Sequence, residues 1–210
     1  MATGLKPPLD IPARRPRGRP RSDSRLEEVL ACAAALFSAR GYVSTSLEDI
    51  AGQLGMTRAA LYYYADSKED LLEKCYAWAY RRHLERLENE LGTGTGREML
   101  TRFFLIYAEA VCDDACRCFL SAGDHYLAPE QRRLSERRLH KITEIAQDIL
   151  ARGVADGSLA AYTPRYALTA MFGAFNALHR MVRPGGPSPR EMGQEVLDVL
   201  MAGLMPRDRG

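Results

Sequence analysis

The sequence predicts an all-α protein of about nine helices. Three observations carry that prediction. Apolar residues recur at the i, i+3, i+4, i+7 spacing of a helical face in one segment after another. Those segments are punctuated by capping residues, first-turn prolines and glycine clusters. No segment alternates apolar and polar residues between turn signals as a strand would. With 210 residues, 46% of them apolar and 27% charged, the chain has length for one large or two small globular units. No apolar run approaches the roughly 20 residues of a membrane span, and the first residues lack a signal-peptide core, so a cytoplasmic protein with no membrane partner is expected. Five cysteines, an odd number without a regular framework, point to reduced thiols.

The net charge is only +2, but residues 1–22 hold Lys6, Arg14, Arg15, Arg17, Arg19 and Arg21 against Asp10 alone. Five prolines fall in the same stretch, so it reads as a disordered basic arm. Its Arg17-Gly18-Arg19-Pro20 core resembles an AT-hook, with Arg17 and Arg19 suited to a narrow minor groove. The competing reading is a solvated tail that only attracts phosphates.

Ser24 and Glu27 form a capping box ahead of Leu26, Val29, Leu30, Ala33, Leu36 and Phe37, one helical face that Gly41 ends. Thr45 and Glu48 form another box before Leu47, Ile50, Ala51 and Leu54. Gly55 turns the chain, and Thr57 caps a short helix from Arg58 to Tyr64. Two helices across a glycine turn are the helix-turn-helix geometry, whose second helix enters the DNA major groove. Ser67 and Asp70 open a long helix that runs through Leu72, Cys75, Trp78, Ala79 and Leu87 to about Leu91. It is the expected mechanical link to the C-terminal half. Gly92 to Gly96 break the chain, and further helices are expected at about residues 97–112, 115–122, 129–152, 163–183 and 189–204. Pro129, Pro164 and Pro189 suit first turns, Thr163 and Ser188 are caps, and Ser188 with Glu191 repeats the box. The division expected is 1–22 arm, 23–68 DNA-binding domain and 69–210 ligand-binding and dimerisation domain.

Leu36-Phe37, Gly41-Tyr42, Thr45 to Ala51, Leu54-Gly55, Leu61-Tyr62-Tyr63, Ser67-Lys68-Glu69 and Leu71-Leu72 together resemble the DNA-binding region of the TetR family of transcriptional regulators. The resemblance covers about a quarter of the chain. It implies a homodimer, usually a repressor, that binds double-stranded DNA at a palindromic operator and releases it when a small-molecule effector occupies the C-terminal domain. The chain departs from the family at Ala65-Asp66, where Phe-Pro is common, so packing at that corner must come from elsewhere, for example Tyr64.

The residues support the DNA assignment independently. Arg58 is placed to meet guanine O6 and N7, and Ala59 and Ala60 let the backbone approach and touch a thymine methyl. Tyr62 and Tyr63, with core packing as the competing reading, and Lys68 are candidate phosphate contacts. Ser46 and Thr57 are either phosphate contacts or helix caps.

For the effector, Trp78, Phe103, Phe104, Tyr107, His125, Tyr126, Phe172, Asn176 and His179 are candidate lining, with ordinary core packing the competing reading for each. Residues around 125–130 and 176–186 faintly resemble family members that sense acyl thioesters. Met171, Ala174 and Leu178, with Val196, Leu200 and Leu204, form apolar stripes for a four-helix dimer interface or for the protomer's own core. Cys112, Cys116 and Cys118 read as idle thiols unless a break near Asp113 lets them converge on a metal or a redox event. No cofactor site, metal set or nucleophile–base pair emerges. The alternatives to a regulator are an all-α enzyme with an incidental basic arm and an architectural nucleic-acid-binding protein.

Overall fold

The computed structural model describes residues 21–161 and 163–204. Among them are nine α-helices and no strand: α1 (Arg21–Arg40), α2 (Leu47–Gln53), α3 (Arg58–Leu61), α4 (Lys68–Glu90), α5 (Gly96–Cys112), α6 (Asp114–Ala122), α7 (Pro129–Ala155), α8 (Pro164–Ala177) and α9 (Pro189–Leu204). Short 3-10 turns follow α6 (Asp124–Tyr126) and α8 (Leu178–Arg180). The all-α expectation holds.

Local chemistry explains where the boundaries depart from expectation. α1 starts at Arg21, a turn before the Ser24–Glu27 box. α2 is capped by Ser46 and Asp49, not by Thr45 and Glu48. Asp49 N–H donates to Ser46 Oγ at 3.1 Å, and Ser46 N–H donates to Asp49 Oδ2 at 2.8 Å. Thr45 is buried, and its hydroxyl donates to the Gly41 carbonyl at 2.9 Å, so it ties the α1–α2 connection instead. Gly41 and Gly55 sit at φ 86° and 64°, the conformations their turns require. α3 ends at Leu61, and Tyr62 to Tyr64 continue as a turn. The helix expected over 163–183 ends at Ala177 and tightens, because a ring nitrogen of His179 hydrogen-bonds the Asn176 carbonyl.

The departure at Ala65-Asp66 is held by polar bonds. Lys74 Nζ donates to the Tyr64 carbonyl and to Asp70 Oδ2, both at 2.8 Å, while the Asp66 N–H donates to the same carboxylate at 2.9 Å. Ala65 is buried beneath them, and Tyr64 packs against the N-terminal core.

Two cores share α4. The N-terminal one joins Val29, Phe37, Ile50, Leu61, Leu72 and Cys75 with Ala115, Cys118 and Phe119 of α6. The C-terminal one is built around α5, whose Leu100, Phe103, Phe104 and Ala108 are fully buried among α7, α8 and α9. α6 therefore packs on the DNA-binding helices although it comes after α5 in the chain. Its Phe119 stacks on Tyr76 of α4 at 3.9 Å between ring centroids. Glu73 of α4 pairs with Arg138 of α7 at 2.6 Å, both largely buried. α5 meets α7 backbone to backbone: a Cβ on Gly96 would lie 2.1 Å from the Gly153 nitrogen, so the approach requires glycine there.

Candidate DNA interface and effector cleft

α3 is short because one residue anchors it. Leu61 is buried, whereas Arg58, Ala59, Ala60, Tyr62 and Tyr63 all face solvent. That distribution leaves a convex, apolar-backed turn with one cation, two methyl groups and two phenols on its outer side. Tyr63 is 84% exposed, with its ring edge against that of Tyr64. Thr57 Oγ1 accepts from the Ala60 N–H at 3.2 Å, and both partners of the Ser46 hydroxyl are Asp49 atoms. Both hydroxyls thus serve as caps in this structure. Lys68 is also engaged: Nζ donates to the Val43 carbonyl at 3.3 Å and lies 4.3 Å from the Tyr42 ring centroid. Arg58 reaches back to Glu48 of α2 and donates through Nη2 to the Tyr62 hydroxyl at 2.9 Å. Arg17 and Arg19 lie outside the described residues.

In the C-terminal bundle a cleft of about 420 Å3 opens between α5, α7 and α8. Three expected residues meet there: Tyr107, Phe172 and Asn176. The Tyr107 hydroxyl donates to Asn176 Oδ1 at 2.7 Å, so the pair forms one polar anchor on an apolar wall. Phe103 and Phe104 are fully buried behind that wall, with ring centroids 6.2 and 5.2 Å from that of Phe172. They support the cleft and do not line it.

The other expected lining residues lie elsewhere. The break at Asp113 turns α6 back onto α1, carrying His125 and Tyr126 to the N-terminal core, where Tyr126 packs 4.5 Å from Tyr42. Trp78 lines a groove with Leu26, Leu30, Tyr63 and Tyr64 on the DNA-binding side, and the Arg82 guanidinium covers its ring at 4.7 Å. His179 is buried and bonded to its own helix. The sequence reading missed Leu139, Thr143 and Gln147 on α7 and Arg165, Thr169 and Gly173 on α8, which complete the cleft. Each trio is spaced by four, a polar-edged helical row that periodicity alone marks as neither core nor solvent.

Of the residues expected at a dimer interface, Met171 and Leu178 are 1% exposed and belong to the protomer's own core. Ala174, Val196 and Leu200 are half-buried, and Leu204 ends α9. Tyr166 of α8, Met181 after α8 and Val199 of α9 are exposed.

The break near Asp113 places Cys112 at the end of α5 and Cys116 and Cys118 on α6. Burial raises the Cys112 thiol to about 11 and that of Cys116 to about 12, and raises Cys118 further, so all three are neutral thiols. Among the described residues no cluster of His, Cys, Asp and Glu is arranged to hold a metal.

One buried group escaped the sequence reading. His83 of α4 is 5% exposed, and both ring nitrogens lack a hydrogen-bond partner among the described residues. It lines a cavity of about 50 Å3 between α4 and α5, rimmed by the ion pairs Arg82–Asp113, at 3.2 Å, and Arg86–Glu109. Burial, aided by the charge of Arg86, pushes its imidazole down to about 4. A lone histidine on an amphipathic helix gives no sequence sign of this.

Two family models match successive parts of the chain. The model of bacterial regulatory proteins of the tetR family matches residues 29–75, and that of the tetracyclin repressor-like C-terminal domain matches residues 93–204. The HTH-type transcriptional repressor KstR2 of Mycolicibacterium smegmatis is 29% identical over 201 residues, spanning 86% of this chain and 91% of its own. The TetR family regulator PfmR of Thermus thermophilus is 30% identical with a TM-score of 0.75, covering 85% of this chain and 99% of PfmR. AibR, solved in complex with isovaleryl coenzyme A and operator DNA, shares the fold at a TM-score of 0.74 and 20% identity, over 83% of this chain and 97% of AibR.

Proposed function

The chain belongs to the tetR family of bacterial regulatory proteins, and from that premise we propose that it is a dimeric repressor released from its operator by an acyl thioester of coenzyme A. DNA is read by residues 23–68. Arg58 reads a base edge, Ala59 and Ala60 permit close approach, and Tyr62 and Tyr63 hold phosphates. Arg17 and Arg19 add minor-groove contacts. Residues 69–210 bind the effector and the second protomer, the latter through α8 and α9 with Tyr166, Met181 and Val199 at the contact. The protein acts by binding, without a catalytic step, on DNA in the cytoplasm. No described helix is long and apolar enough to cross a membrane.

The observation that carries the effector assignment is the composition of the α5–α7–α8 cleft. Phe172, Leu168 and Ile142 offer an apolar wall for an acyl chain, Tyr107 and Asn176 offer a paired polar anchor, and the exposed Arg165 stands at the edge. An apolar tail joined to an anionic carrier suits that order of surfaces, since a guanidinium pairs well with phosphate. AibR binds such a thioester on the same fold, which supports the reading.

Filling the cleft is the test. A Cβ on Gly173 meets nothing within 4 Å, so Gly173→Trp is compatible with α8 while placing an indole in the cleft. The variant is expected to bind a palindromic duplex, selected from random DNA by the full-length protein, as the parent does. Its response to a series of acyl coenzyme A thioesters including isovaleryl coenzyme A should fall by about tenfold or more, as the loss of over about 1.4 kcal/mol of binding would produce. An unaltered response would place the effector elsewhere.

A further inference from the structure

The surface that α3 presents is not left with a free cation. The Arg58 guanidinium spans from α3 to α2, where Nη1 pairs with the Glu48 carboxylate, and its Nη2 donates to the Tyr62 hydroxyl at 2.9 Å. The guanidinium carbon also lies 5.5 Å from the Tyr62 ring centroid. Both ion-pair side chains are about half exposed, at 54% and 55%. A solvent-exposed pair of that kind adds little to stability, so its location asks for another explanation. The neighbouring acid, Asp49, is committed to the α2 cap, where its bonds with Ser46 hold its carboxyl below the usual range. Glu48 is thus the acid in α2 whose carboxylate is directed to the reading residue.

We propose that Glu48 is a specificity-determining positioning residue that withholds Arg58 from DNA phosphates and yields it to a guanine edge. An arginine free on a DNA-facing surface is attracted to every phosphate and raises affinity for all sequences alike. Paired with Glu48, it contributes no net charge to that attraction. A guanine offers O6 and N7 in a bidentate arrangement that replaces the carboxylate with two matched acceptors. At any other base the exchange is incomplete, and the carboxylate stays beside the polyanion, where it is repelled. Glu48 therefore acts through Arg58 by penalising the wrong sequence, a means of discrimination distinct from adding contacts to the right one. Tyr62 helps in both states: its oxygen accepts from Arg58 while its own proton remains to donate to a phosphate.

This inference rests on Arg58 reading a base, and the test separates the two. Full-length protein, Glu48→Gln, Arg58→Ala and the double variant are titrated with the selected palindromic duplex and with a scrambled duplex of equal composition, at several salt concentrations. Glu48→Gln keeps the side-chain shape and removes the charge. It should tighten binding to the scrambled duplex several-fold. It should also steepen the salt dependence there by about 0.9 for each arginine released, hence by roughly 1.8 per dimer, and lower the selected-to-scrambled ratio several-fold. Its thermal midpoint should match the parent's, and adding Arg58→Ala should abolish the gain. If Glu48→Gln leaves ratio and slope unchanged, or weakens both duplexes equally, Glu48 has no such role. If Arg58→Ala itself does not change the ratio, base reading by Arg58 fails, and the inference falls with it.

Discussion

Arg58→Ala is expected to remove most of the preference for the selected duplex while leaving the fold intact. The guanidinium is the one cation on the outer side of α3, followed by two alanines and two exposed tyrosines. A bidentate contact to guanine is worth about 1–3 kcal/mol of discrimination, and a dimer makes it twice, so the loss amounts to roughly 2–6 kcal/mol per complex. In affinity that is about 30-fold at the lower end. The effect should concentrate at one base position in each half-site, because the phosphate contacts proposed for Tyr62 and Tyr63 carry no sequence information and would persist in the variant. Thermal stability should barely change, since the pair lost with Glu48 is exposed. Gel-shift titrations against duplexes substituted at each position would read this. A uniform loss across all positions would demote Arg58 to a phosphate contact.

His83 should make the folded protein sensitive to mild acid. Its imidazole sits near 6.5 in an unfolded chain and is held down to about 4 in the fold by burial and by Arg86. Between those values the unfolded chain binds a proton that the native state refuses, so stability is lost as pH falls through 6.5 toward 4. The full difference corresponds to about 3 kcal/mol, of which roughly 2 kcal/mol is spent between pH 6.5 and 5. The carboxylates that are held low by partners, such as Glu90 beside Arg86, lose their contribution at lower pH, below the ordinary carboxylate range. His83→Leu should therefore flatten the urea midpoint between pH 6.5 and 5 and leave the steeper loss below it. At pH 7 the variant should be no less stable, because an apolar side chain replaces two buried nitrogens that have no partner among the described residues. Parallel curves for parent and variant would show that the imidazole is not what the fold excludes from protonation.

Much of the fold was legible because helical faces, caps and prolines are local signals. Leu47, Ile50, Ala51 and Leu54 announce α2 whatever the rest of the chain does. The choice of cap was not local: Thr45 and Ser46 both suit the position, and burial of Thr45 against α1 decides between them. The exposed side of α3 was likewise visible, since burying Leu61 obliges Arg58, Tyr62 and Tyr63 to face outward on so short a helix. The cleft proposed for the effector was only half visible. Tyr107, Phe172 and Asn176 stand out as aromatic and amide residues on apolar helices, and they meet. His125 and Tyr126 carry the same composition but lie beyond the break at Asp113, whose direction depends on how α6 packs against α1. Thr143, Gln147, Arg165 and Thr169 resemble ordinary surface residues until α7 and α8 are brought together. Met171 and Leu178 share a stripe with more exposed neighbours, and only the packing of α5 shows which side of it points inward.

A regulator differs from a DNA clamp in that its two sites feel each other. α4 runs from the reading unit into the effector bundle, and α6 returns from that bundle to α1, so a structural route for coupling exists between the cleft and the DNA face. Coupling is reciprocal: the factor by which an effector weakens DNA binding is the factor by which DNA weakens the effector. The direct measurement is calorimetric titration of the acyl coenzyme A series into full-length protein, alone and saturated with the selected duplex. At least one thioester is expected to bind the free protein and to bind the duplex-loaded protein about 5–150-fold more weakly. Equal affinity in the two states, or no binding of any thioester in the series, would contradict the assignment of this protein as an acyl-thioester-released repressor.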